Sequence, residues 1–340
     1  MDNSFTAHDD MALNLVDLKR YPIENLEFGD GAKFLKDCQQ KMDEDGWCNF
    51  DGFIKPNALN ALEDEATALQ SIAETLTIKR NIYQGKVDTS VPKDDPRRRE
   101  YTHVASQLAD DQISESTLIK QLYKSEKLTD FIRRVQRKSA LYRCADEFQA
   151  LNIVALHPGS WHAWHYDTTE CTVTLLLKAA EKGGEFAFLP NSRTDDTEDR
   201  ETVDQLLAGD MSKAKTFSRG AGTFTLFRGG YSLHGVTQVE GTNPRITSIM
   251  TYSEHPNTIL SDEVIQNINN DLVWVPRATE ILLIRELLLI FQGINAPHIK
   301  LDAKTQSYVL HPELALPPPV RDLVLCMCET GWLYIKVKVR

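Results

Sequence analysis

Cysteine is sparse: six in 340 residues (Cys38, Cys48, Cys144, Cys171, Cys326 and Cys328). That is too few for a disulfide framework in a chain this long, so buried free thiols are the expected state. Cys326-Met327-Cys328 lacks the two-residue gap and the second pair of a zinc site. Positive charge is also short. Against 49 Asp and Glu stand 38 Lys and Arg, a formal net charge of −11, which argues against a general nucleic-acid binder because phosphate contacts need a basic face. The run Arg97-Arg98-Arg99 is expected to be a solvated loop, with Arg98 kept as a candidate for an anionic substrate group. No apolar run reaches the length of a membrane span, and the start, Met1-Asp2-Asn3-Ser4, carries no basic-then-apolar signal. The expectation is a soluble cytoplasmic protein with neither a membrane nor a nucleic-acid partner, in a reducing compartment.

What is present is an apolar content of 41%, enough for a sizeable core. Residues 1–29 are polar with scattered apolar positions and read as a loosely packed N-terminal arm. From Asp30, Phe34, Leu35, Cys38 and Met42 recur at helical intervals until Gly46. A short strand and turn from Trp47 to Ile54 leads to Pro56, which opens a second helix carrying Leu59, Leu62, Ala66 and Leu69. Residues 79–112 show little periodicity and read as one long loop; such loops are often lids, which makes Arg80, Tyr83 and Arg98 candidate substrate contacts. The alternative for Arg98 is a pairing with Asp94 or Asp95. Helix returns over 116–138. From 139 to about 253 the chain is strand-rich with frequent turns, as expected of a double-stranded β-helix or jelly roll, cupin-like, in an α+β protein with its N-terminal helices packed on that core. An acidic insert, 194–209, is expected to form a short helix around Val203, Leu206 and Leu207. Residues 276–340 form a C-terminal extension of different character, with an apolar helix predicted over 281–291 and a strand-like end from Trp332 to Val339.

The chemistry is concentrated in Asn152-Ile153-Val154-Ala155-Leu156-His157-Pro158-Gly159-Ser160-Trp161-His162-Ala163-Trp164-His165-Tyr166-Asp167. It reads as strand, turn, strand, ending in His-x-Asp. On an extended backbone, positions two apart share a face, so His165 and Asp167 can reach one point. Alone, the pair is weak: with nine His, a chance His-x-Asp arises about once in every two such sequences. Order and context raise its weight. A Gly-rich turn precedes His234, and Arg245 follows eleven positions later on the β-rich run Arg245-Ile246-Thr247-Ser248-Ile249-Met250-Thr251, where alternation groups Arg245, Thr247, Ile249 and Thr251. Two imidazoles and one carboxylate with open opposite positions suit a non-haem Fe(II) oxygenase. An inward Arg needs an anion to meet it, and its fork matches a carboxylate.

These residues, His165-x-Asp167, His234 and Arg245, resemble the signature of Fe(II)/2-oxoglutarate-dependent dioxygenases. The wider set includes Asp95-Pro96-Arg97-Arg98, Leu151-Asn152, Pro158-Gly159, Thr172 to Leu177, Gly183-Gly184-Glu185-Phe186, Leu226-Phe227-Arg228-Gly229, Ser232-Leu233-His234 and Pro244-Arg245. It is similar to the subgroup of free-amino-acid radical halogenases and their hydroxylating relatives, over about residues 30–265, within a dioxygenase domain taken as 30–275. The resemblance implies Fe(II) on His165, Asp167 and His234, with 2-oxoglutarate and O2 as co-substrates. Arg245 would hold the far carboxylate of 2-oxoglutarate, with Thr247 and Asn152 assisting. Asn152 reads equally as a buried amide satisfied by backbone. In the halogenases of the subgroup a small residue replaces the metal carboxylate and leaves room for halide; here that position is Asp167. The implied reaction is therefore hydroxylation of an unactivated carbon in a free amino acid or small amine-bearing metabolite, releasing succinate and CO2. Substrate contacts fall on His162, Trp164, Thr251 and Arg98, although His162 and Trp164 also read as packed strand residues. Two other readings stay open: a dioxygenase acting on a protein side chain or biosynthetic intermediate, and a non-catalytic jelly-roll binding module. The sequence does not fix the oligomeric state.

Overall fold

The computed structural model describes residues 11–84, 90–95, 98–146 and 149–259, together with four backbone strands within 299–339. In chain order the first part contains α1 (Gly29–Asp45), β1 (Trp47–Phe50), α2 (Pro56–Leu69), β2 (Glu74–Arg80), β3 (Tyr101–Leu108), α3 (Leu118–Tyr123), α4 (Glu126–Val135), β4 (Tyr142–Arg143), β5 (Leu151–Leu156), β6 (His162–His165) and β7 (Thr172–Lys178). It continues with β8 (Lys182–Gly183), β9 (Phe186–Leu189), α5 (Arg200–Leu207), β10 (Lys215–Phe217), β11 (Phe224–Phe227), β12 (Leu233–Val236), β13 (Val239–Glu240), β14 (Arg245–Met250) and β15 (Tyr252–Ser253). The chain divides into two compact units, residues 1–269 and 270–340.

Two antiparallel sheets make the jelly roll of the first unit. The larger runs β1-β11-β7-β14-β5-β3-β2 and the smaller β10-β9-β12-β6. Strands β5, β7 and β14 are buried on both faces, which is why they read as nearly continuous apolar runs. Leu151, Ile153 and Ala155, Val173, Leu175 and Leu177, and Ile246 and Met250 meet the helices through Met42, Leu62, Leu122, Phe131 and Ile132. Each such fully buried side chain contributes about 1.5–3 kcal/mol. Residues in the opposite phase, Val154, Leu156, Thr174, Arg245, Thr247 and Ile249, turn instead toward the smaller sheet and line the space between them. Trp47, Phe186, Phe188 and Phe227 form a second apolar cluster, of which Phe186 and Phe227 line that space.

The helices follow local signals. Gly46 takes a left-handed φ of 73° and ends α1 by donating to the Met42 carbonyl. Pro56 opens α2. The helix expected over 116–138 is two helices, because Thr117 and Ser125 each cap a new start with the side-chain oxygen. α5 forms in the acidic insert, burying Val203 and Leu206.

Two expectations are corrected. Residues 11–28 do not form a loose arm: Ala12, Leu15, Val16, Tyr21, Ile23 and Leu26 are buried in the main core, and the Tyr21 hydroxyl donates to the Asp51 carbonyl at 2.6 Å. Their spacing matches no single helix or strand, so periodicity could not show it. Nor is 79–112 one loop. β2 and β3 pair from Glu74↔Gln107 to Arg80↔Tyr101 and extend the larger sheet, with β2 at its edge. Exposed polar and charged residues on an edge hairpin blunt its hydrophobic signal.

In the second unit β16 (Ile299–Asp302) pairs with β17 (Ser307–Leu310), and β18 (Val320–Met327) with β19 (Leu333–Val339), both antiparallel. The helix predicted over 281–291 lies outside the described residues. Among the described residues no helix is long and apolar enough to cross a membrane.

Candidate active site

β6 and β12 pair through His165↔His234 and Val236↔His162. One residue, Gly235, separates the partners on β12, whereas Ala163 and Trp164 separate them on β6, so β6 carries a bulge. The backbones come close there: a Cβ on Gly235 would stand 2.8 Å from the His162 carbonyl oxygen. The extra residue brings His162 and His165 to the same side, where their rings stack at 4.4 Å. It sends Trp164 to the other side, against the cluster of Ile82, Tyr166, Leu189, Val203, Leu206 and Leu233. Trp164 lines neither cavity of the site, which corrects its assignment as a substrate contact.

His165, Asp167 and His234 converge, with one ligand atom from each lying within 4.8 Å of the others. Asp167 Oδ1 is 3.4 Å from His165 Nε2, and Oδ2 is 3.3 Å from His234 Nε2. Each imidazole is oriented from behind. His165 Nδ1 lies 2.8 Å from the Ala163 carbonyl oxygen and His234 Nδ1 2.9 Å from that of Ser232. A carbonyl only accepts, so Nδ1 carries the proton in both rings and Nε2 presents a lone pair inward. Burial, and then the neighbouring His234, push His165 down to about 4, so it is neutral near pH 7. Burial would raise the Asp167 carboxyl, but the facing His234 and His165 rings outweigh it and hold the group well below the usual carboxylate range. Thr172 Oγ1 donates to Asp167 Oδ2, and the Asp167 N–H donates to the Gly229 carbonyl at 3.0 Å. Two imidazoles and a carboxylate, each braced by an outer partner, fit a divalent first-row metal ion.

The triad stands between two cavities. The first, about 120 Å³, is lined by Arg80, Gln84, His103, Asn152, His162 and Thr251 among others. The second, about 80 Å³, is lined by Thr174, Phe186, Arg219, His234, Arg245 and Thr247 among others. His162, His165, Asp167 and Thr172 border both. Arg245 is buried; its Nε donates to the Gly184 carbonyl at 2.9 Å and Nη1 to Thr247 Oγ1. Burial pulls it down to about 10, leaving it charged near pH 7.

The remaining expected residues divide. Thr251 and Asn152 border the first cavity, and the second lacks Asn152; its Oδ1 accepts from Gln107 Nε2 at 2.5 Å. Arg98 borders neither cavity and donates to the Val91 carbonyl at 3.0 Å, while Asp95 pairs with Arg200. Arg80 takes the place expected of Arg98. It donates to Gln84 Oε1 at 2.5 Å and stands 3.5 Å from His162 Nε2. Tyr83 donates to Glu198, away from the cavity. Sequence reasoning missed His103 and Arg219. His103 shares a strand phase with Tyr101, Ala105 and Gln107, a signal hidden by reading this stretch as loop. Arg219 lies between strands, where no periodicity marks it.

Among solved structures, the chain is similar to an oxidoreductase of the 2OG-Fe(II) oxygenase family from Burkholderia pseudomallei: 17% identity, 67% of this chain and 92% of that one covered, TM-score 0.43. It is also similar to the epimerase SnoN of nogalamycin biosynthesis: 16% identity, 66% and 84% covered, TM-score 0.45. A curated relative, the spindle pole body component 98 of Dictyostelium discoideum, is 29% identical over 99 residues, covering 26% of this chain and 12% of that protein. The chain thus spans about an eighth of that relative's length. The model of one protein family, Halogenase D, matches residues 31–272. That interval holds both sheets and every residue of the triad. The chain belongs to the Halogenase D family.

Proposed function

We propose that this protein is an Fe(II)/2-oxoglutarate-dependent dioxygenase that hydroxylates an unactivated carbon of a free amino acid or a small amine-bearing metabolite. The observation that carries the reading is the triad itself, His165, Asp167 and His234, with both Nε2 atoms turned inward by carbonyls behind them. When bound there, a ferrous ion with 2-oxoglutarate and O2 supplies the oxidising chemistry, the co-substrate leaving as succinate and CO2.

The protein's part is holding, orienting and drying. Arg245, with Thr247 on its Nη1, presents a guanidinium fork to the far carboxylate of 2-oxoglutarate. Asn152 keeps its place as a candidate for the same co-substrate from the other cavity. Asp167 occupies the coordination position that a halide would need, which favours hydroxylation over halogenation within this family. Arg80, charged near pH 7 although burial pulls it down to about 10, gives the first cavity a cation for a substrate carboxylate. His162 and Thr251 stand beside it as polar contacts. A free amino acid carries such a carboxylate and a residue inside a peptide does not, so Arg80 favours the free molecule over a protein side chain.

The test is succinate release with iron and 2-oxoglutarate across the standard amino acids. Turnover above the uncoupled background for at least one of them is expected. Background rates with every amino acid would remove the free-amino-acid part of the reading.

A further inference from the structure

The second cavity holds a cation that the reading above leaves without work. Arg219 is buried and borders the same space as Arg245 and Thr247. Its Nη1 donates to Thr225 Oγ1 at 2.9 Å and, more weakly, to Thr174 Oγ1 at 3.4 Å. Thr225 in turn donates to Asn49 Oδ1 at 2.7 Å, which turns its lone pairs toward the guanidinium. The Phe186 ring lies 4.5 Å from the Arg219 Cζ atom. This bracing fixes one arm, while Nε is buried with no hydrogen-bond partner.

A guanidinium has five N–H donors, and a buried one left unmet is costly. Among the described residues no carboxylate lies within ion-pair distance of Arg219 or Arg245. Burial, and then the like charge of Arg245, push Arg219 well below the usual arginine range, offset only in part by Asp51, which lies beyond ion-pair distance. Two cations bordering one small cavity with no carboxylate within ion-pair distance repel each other, and a carboxylate placed between them relieves both. One carboxylate offers about four lone-pair sites, enough for two forks.

We infer that Arg219 is a second co-substrate-binding residue, making with Arg245 a two-arginine clamp that selects a 2-oxo acid bearing a second carboxylate. The inference rests on the oxygenase reading and deepens it at the co-substrate end of the same site.

The test compares 2-oxoglutarate with 2-oxovalerate, which has the 2-oxo acid head and a five-carbon chain but no far carboxylate. Both are titrated calorimetrically into the full chain loaded with redox-inert Zn(II). Loss of a charge-assisted hydrogen bond predicts that Arg219→Met weakens 2-oxoglutarate about tenfold or more and leaves 2-oxovalerate within about twofold. Arg219→Lys keeps the charge and the stem over Phe186 and carries the test if the methionine variant does not fold; a loss of about threefold for 2-oxoglutarate alone is expected. Equal weakening of both acids in the lysine variant, or no weakening of either, overturns the inference and leaves Arg219 a packing residue. A wild-type chain that binds neither acid overturns the oxygenase reading and the clamp together.

Discussion

His162 and His165 stand three positions apart on β6, yet their rings stack at 4.4 Å. In a regular strand they would face opposite ways. The extra residue opposite Gly235 is what aligns them, and it turns Trp164 outward into a separate apolar cluster. The same bulge supplies the Ala163 carbonyl that sets the tautomer of His165.

Trp164 is accordingly a packing residue. Trp164→Ala is expected to lower unfolding free energy by about 2–4 kcal/mol in chemical denaturation, somewhat below the cost of a fully buried aromatic. Affinity for 2-oxoglutarate should stay within about twofold. A stable variant with a sharply raised substrate KM would return Trp164 to the cavity wall.

Asp167→Ala removes one of three ligands and leaves two imidazoles facing an empty corner. Metal affinity is expected to fall by about 100-fold or more, since loss of even an outer partner costs 10–100-fold. Metal analysis of the purified variant reads this directly, and wild-type iron content would remove Asp167 from the ligand set.

Gly229 tests the same ligand without deleting it. A Cβ at this position would collide with Asp167 Oδ2 and lie 2.5 Å from Thr172 Oγ1. Gly229→Ala should therefore displace the carboxylate and lower metal affinity by about tenfold or more while circular dichroism stays native.

Arg80→Ala should raise the substrate KM by about tenfold or more, the cost of a charge-assisted hydrogen bond. Affinity for 2-oxoglutarate should be unchanged, because Arg80 borders the first cavity and the second does not include it. A loss shared by substrate and co-substrate would place Arg80 differently.

His103 sets an acid limit on stability. Burial, and then the charge of Arg80, push it down to about 3 from an unfolded value of 6.5. Between those values the unfolded chain binds the proton and the folded one does not. Stability from this group is thus complete above about pH 6.5 and declines as pH falls toward 3, by a few kcal/mol in order of magnitude. His103→Phe should flatten that part of the stability profile in urea titrations between pH 4 and 7; an unchanged slope would show that His103 is protonated in the fold.

Several features were legible in the residues alone. The helix starts and stops at Gly46 and Pro56 are local chemistry, and local signals need no partner to be read. The phase of β14 put Arg245, Thr247 and Ile249 on one face, because a period of two survives wherever both faces are buried. The His-x-Asp pair and the distal His were identifiable by type and order. What tertiary structure alone decided lies where the backbone breaks its period or where two sheets meet. A bulge is invisible until its partner strand is known, so the stacking of His162 on His165 and the outward turn of Trp164 were not predictable from spacing. The exchange of Arg98 for Arg80 depended on an edge hairpin whose polar outer face hides its strand pattern. Arg219 acquires its meaning only between the sheets, because burial without an ion-pair partner is a property of three-dimensional surroundings and leaves no mark on neighbouring residues in the chain.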